Sequence, residues 1–137
     1  MKLSYFDTAG FAVTVCDREG VVLYQNAKAV LRDGDVLGRN LFDCHKESSA
    51  RMIRRMIAEG SGHTYETTHS SPAERTAVAS ADAAGASAGA GTAAGASAAC
   101  SRSFIHQTPW YAADGSVAGL IEIDIDLPAE VPVYSRK

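Results

Sequence analysis

Residues 117–127 read VAGLIEIDIDL, and their alternation restricts the fold more than anything else in the chain. Val117, Ile121, Ile123, Ile125 and Leu127 share one face of an extended backbone, and Glu122, Asp124 and Asp126 share the other. A period of two marks a half-buried strand, because a helix would scatter these residues around its axis. Hydrophobicity then sets the expected orientation: isoleucines toward a core, acids toward water. Pro128 and Pro132 end the strand and leave a polar tail.

Such a strand needs partners, and the sequence supplies four. Residues 11–16 and 21–24 are β-rich runs separated by Asp17, Arg18, Glu19 and Gly20, a turn with glycine last, so they form a hairpin. Residues 63–68 alternate and are rich in Thr and Tyr. Residues 102–111 form a further strand with Pro109 near its end, which suits an edge or a bulge. One clear helix is predicted over residues 48–59. Ser48 caps it, Met52, Ile53, Met56 and Ile57 share a face, Arg51, Arg54 and Arg55 lie off that face, and Gly60 ends it. Residues 27–31 and 37–42 mix apolar anchors with breakers and read as short helical turns. Strands before and after a central group of helices make the class α+β with an antiparallel sheet.

Residues 77–99 contain only Ala, Gly, Ser, Thr, one Val and one Asp. They have little to bury against the entropy of ordering. Residues 70–100 therefore read as a flexible Ala/Gly-rich insert between the third and fourth strands, where closure entropy grows slowly with length. The 137 residues form one domain on this reading.

The net charge is -3. That provides no basic face for phosphates, so no nucleic-acid partner is expected. No stretch has the apolar length of a membrane span, and the N-terminal MKLSYFDTAG has no apolar signal core, so the expectation is a cytoplasmic protein with no membrane contact. Cys16, Cys44 and Cys100 are odd in number and widely spaced, which favours reduced thiols over a zinc site. The absence of a Gly-rich phosphate loop, HExxH or GxSxG argues against an enzyme.

Three segments carry a resemblance. Asp17 and Gly20 followed by Val21-Val22-Leu23-Tyr24-Gln25-Asn26 form the first. Gly38-Arg39-Asn40-Leu41-Phe42 is the second, and Asp114-Gly115 with Gly119 is the third. In this order they resemble the PAS domain family over residues 8–69 and 101–128. Asp43-Cys44-His45 is similar to the Cys-His pair in a branch of bacterial PAS domains. The Ala/Gly insert departs from the family pattern.

The resemblance implies a five-stranded antiparallel sheet with helices packed on one face. It also implies a sensory module that binds a small ligand or a signalling protein and transmits through a homodimer or partner interface. Met52, Met56, Phe104, Ile121 and Ile123 are the pocket candidates, and His45 with Cys44 are the cofactor candidates. A neutral imidazole is a common haem or metal ligand, and a thiol near a helix start can be redox-sensitive. Two alternatives remain open. One is a ligand-free interaction module whose Met and Ile side chains fill the interior. The other is a haem-based gas or redox sensor using His45. Asp17 and Asn26 are expected to be structural, one bonding its own turn and the other capping the helical turn that follows. His63, His69 and His106 are scattered along strands, and spacing alone does not make them a zinc site.

Overall fold

A computed structural model describes residues 5–69 and 101–136. The strands are β1 (Ala12–Asp17), β2 (Val22–Gln25), β3 (His63–His69), β4 (Ser101–Tyr111) and β5 (Val117–Leu127). The helices are α1 (Ala27–Asp33), α2 (Leu41–Cys44) and α3 (Glu47–Glu59). The sheet runs in the order β2-β1-β5-β4-β3, and every neighbouring pair is antiparallel. The α+β class and the five-stranded antiparallel sheet thus match the sequence reading.

Local chemistry explains the first hairpin and the helix after it. Asp17 Oδ1 accepts from the amides of Glu19 (3.0 Å) and Val21 (2.8 Å), closing the turn. Asn26 Oδ1 accepts from the amides of Val13 (3.0 Å) and Ala29 (2.9 Å), and its Nδ2 donates to the carbonyls of Phe6 and Phe11 (2.8 Å each). Both side chains therefore work structurally, and Asn26 joins the α1 N-terminus to β1. Gln25, at the end of β2, accepts from the Val36 amide and ties down the segment after α1.

The α3 helix begins before Ser48. Lys46 occupies the cap position without a side-chain bond, and its carbonyl accepts from the Ser49 and Ala50 amides. Gly60 ends the helix in the left-handed region (φ +64°), as expected of a C′ glycine. Ala50, Ile53 and Met56 are its buried residues, and Met52 lies at the border of that face, 46% exposed. Ile53 and Met56 meet Cys16 and Leu120 in the core, with Leu41, Phe42 and Ile57 packed against them.

Those contacts fix which face of the sheet meets the helices, and it is the reverse of the one hydrophobicity suggests. Cys16 pairs with Leu120, Thr14 with Glu122, Ile105 with Asp124 and Gln107 with Glu122. Directly opposed residues share a face. Leu120 lies under α3, so Glu122, Asp124 and Asp126 also point to the helix side. Ile121, Ile123 and Ile125 occupy the outer face, where Ile125 is 41% and Phe104 36% exposed.

The physical reason sits in α1. Arg32 forms an ion pair with Asp124, a second with Asp126, and donates to Ser103 Oγ (3.2 Å). Lys28, one turn earlier, reaches Asp126 at 2.8 Å. The Lys28 bond above all, helped by Arg32, holds the Asp126 carboxyl below its usual range. The side chains of Arg32 and Asp124 are only 9% and 7% exposed. An acid can face inward here because a guanidinium waits for it.

At the far edge, β3 pairs with β4 from His63↔Gln107 to His69↔Ser101. Pro109 lies beyond the last β3 partner and next to a register shift at Trp110/Tyr111, so its missing N–H costs no ladder bond on that side. The insert over residues 70–100, including Cys100, lies outside the described residues.

Candidate functional site

A cavity of about 270 Å³ lies between the helices and the sheet. Its sheet side is formed by Thr14, Cys16, Gln25, Gln107, Leu120 and Glu122. The helix layer supplies Leu41 and Ile53, and Asp33, Val36, Cys44 and His45 complete the lining. Asp33, Cys44 and His45 are exposed, which places the mouth at the ends of α1 and α2. The interior is an apolar wall with a few convergent polar groups, the usual make-up of a small-molecule site, at the small end of the size range.

Glu122 stands on the sheet side of this cavity. Gln107 Nε2 donates to Glu122 Oε2 at 2.6 Å. Burial raises the Glu122 carboxyl above its ordinary value, and the negative charges of Asp33 and Asp124 push the same way, against the Gln107 bond and His45. Burial likewise raises the Cys16 thiol beside it.

A stability prediction follows with its sign. A carboxyl whose folded pKa is raised binds more protons in the native than in the unfolded chain. Native stability therefore declines as pH rises from about 4, the unfolded value, through the folded one. Glu122→Gln is expected to be more stable than the native chain at pH 7 and to lose that advantage near pH 4. Urea unfolding of both at the two pH values measures it, and a gain that persists undiminished at pH 4 would contradict the burial argument.

His45 Nδ1 lies 2.9 Å from the Leu41 carbonyl, which can only accept, so Nδ1 carries a proton and Nε2 is the nitrogen left to meet a ligand. Cys44 is a free, exposed thiol on the same rim. The structure thus brings His45 and Cys44 to the cavity. The apolar candidates do not gather there. Ile121, Ile123 and Phe104 are on the opposite face of the sheet, because the strand is turned over relative to its hydrophobic reading. Met52 points to the helix border, and Met56 is buried in the core without lining the cavity.

Sequence reasoning missed Thr14, Gln25, Gln107 and Glu122. The available signal was that Leu120 shares its face with the acids rather than with the isoleucines. Two of the strand histidines have local partners: His106 Nδ1 is 2.8 Å from Thr64 Oγ1, and the His63 ring packs against Tyr65 at 4.9 Å. Among the described residues no three His, Cys, Asp or Glu side chains gather to hold a metal ion. Haem fits this site poorly, since a flat apolar macrocycle needs more room and a less polar floor than Thr14, Gln107 and Glu122 offer. No helix among the described residues is long and apolar enough to cross a membrane.

The strand order, the helices grouped on one face and the cavity beneath them define the class: the chain has the PAS-domain fold. No protein-family model and no curated protein matches the sequence. Solved structures do match. The VqmA dimer of Vibrio cholerae, a LuxR-type receptor, superposes with a TM-score of 0.61 at 18% identity, over 92% of this chain and 50% of that one. A VqmA–ligand–DNA complex gives 0.58 at 18% identity, over 90% and 49%. The PAS domain of BvgS from Bordetella pertussis gives 0.56 at 14% identity, over 91% and 82%.

The chain spans about half the length of the VqmA chains it matches. The VqmA structures correct one expectation. They are of a DNA-binding receptor, one in complex with DNA, so the acidic balance of this chain does not exclude a nucleic-acid partner. Net charge over a sensor-sized stretch says nothing about the rest of a receptor twice its length.

Proposed function

We propose that this chain is a sensory module that holds a small ligand between its helices and its sheet and reports occupancy through the outer face of the sheet. The observation that carries this reading is the cavity, where Gln107 and Glu122 converge on a space that Leu41, Ile53 and Leu120 line from the apolar side and Thr14, Gln25 and His45 from the polar one. The route outward is short. Glu122 faces the cavity while its neighbours Ile121 and Ile123 face the opposite side, so any ligand that shifts β5 also shifts the apolar surface. A second copy or an output partner covering that surface would read the shift.

Native mass spectrometry of freshly purified protein tests this. The expected result is a population carrying one small molecule that denaturation releases. A bare protein that no small molecule stabilises against heat would overturn the reading. The outer face, with Ile125 and Phe104 exposed, would then favour an interaction module without a ligand.

A further inference from the structure

We infer that the cavity takes a small organic cation, a protonated amine or amidinium, with Glu122 as its counter-charge. This rests on the cavity being a ligand site, as proposed above, and names the class of ligand. Three inward acids follow one another along β5, and the structure treats them unequally. Asp126 is met by Lys28 and Arg32, and Asp124 by Arg32. Glu122, the one that faces the cavity, is met by the neutral amide of Gln107.

The described lining residues include two carboxylates, Glu122 and Asp33, and no lysine or arginine. The titratable groups around Glu122 do not neutralise it. Asp33 from α1 and Asp124 on β5 share its sign, Cys16 on β1 is a buried thiol, and Tyr65 on β3 has its phenol raised by burial and by Glu122 and Asp124. His45 at the mouth opposes the rise of the Glu122 carboxyl, but it comes after burial and the charges of Asp33 and Asp124 in weight. A carboxylate withdrawn from water without a cation is costly, and a positively charged ligand removes that cost while an anion adds to it. The volume suits a single ring carrying one cationic substituent.

Calorimetric titration with benzamidine, benzamide and benzoate separates charge from shape, since the three share a ring and a planar substituent. At pH 7.5 benzamidine is expected to bind about tenfold more tightly than benzamide, the worth of roughly 1.4 kcal/mol, and benzoate more weakly than either. Benzamidine affinity should rise with pH as Glu122 ionises, a readout that needs no variant. In Glu122→Gln the preference for the cation should disappear while benzamide binding persists. Equal binding of benzamidine and benzamide, or a preference retained in Glu122→Gln, would overturn the cation assignment and leave the cavity as a ligand site. If none of the three probes binds, and the purified protein retains no small molecule, the ligand-site reading fails with it.

Discussion

Gly119→Ala is expected to destabilise the protein by about 3 kcal/mol or more, among the largest effects of any single methyl addition in the chain. Gly119 pairs with Asp17 across β1–β5 and lies beside Trp110. A Cβ there would overlap the Cys16 carbonyl oxygen and come within 2.9 Å of the Asp17 Cα, both backbone atoms that cannot turn aside. It would also crowd the Trp110 indole, whose Nε1 donates to that carbonyl at 2.9 Å. Strand β1 would have to leave β5 for the methyl to fit. Gly115→Ala is the control. Its φ is +82° but nothing lies within 4 Å of a new Cβ, so only the left-handed backbone costs, about 1 kcal/mol. Urea unfolding of the two variants should separate them clearly. Equal losses would show that Gly119 matters for backbone freedom rather than for room.

Arg32→Met should cost about 3–5 kcal/mol, because it strands the Asp124 carboxylate in the interior. The Asp124 side chain is 7% exposed, and its Oδ1 is buried with no hydrogen-bond partner among the described residues. The Arg32→Met/Asp124→Leu double variant should recover most of that loss, since an apolar pair of similar size carries no desolvation debt. Asp126 keeps Lys28 in either case. Chemical denaturation of both variants measures the coupling. A single variant within about 1 kcal/mol of the native chain would mean that water reaches Asp124, and that the ion pair is no more than a surface contact.

The elements were legible in the sequence because each is written in local terms. Turn chemistry at Asp17 and Gly20, the 3.6-residue spacing of Ile53 and Met56, and the alternation of β5 are all contained within a few residues. The orientation of β5 was not legible for the same reason. Alternation sorts residues into two sets but does not say which set faces inward. The deciding group, Arg32, is on another element and far along the chain from Asp124. Once that pair turns β5 over, Ile121, Ile123 and Phe104 leave the interior together, and Glu122 and Gln107 enter it. The cavity residues Thr14 and Gln25 were hidden by the same rule, as polar side chains on strands read as solvent-facing. His45 and Cys44 could be named as candidates because they stand just before α3, a local feature, and the cavity rim on which they lie is seen only in the structure.

The sheet order also dictates when this protein can become itself. Strand β1 is held between β2 and β5, and its contact with β5 joins residues more than a hundred positions apart, such as Val13 and Ile123. A ribosome delivers β1, β2 and all three helices long before β5 exists. Until then Cys16 lacks Leu120, Arg32 lacks Asp124, and one edge of β1 is open to any other strand nearby. The nascent first half must therefore wait, exposed, for its last strand. Emergence of β5, rather than growth of the first half, is the step at which the sheet closes.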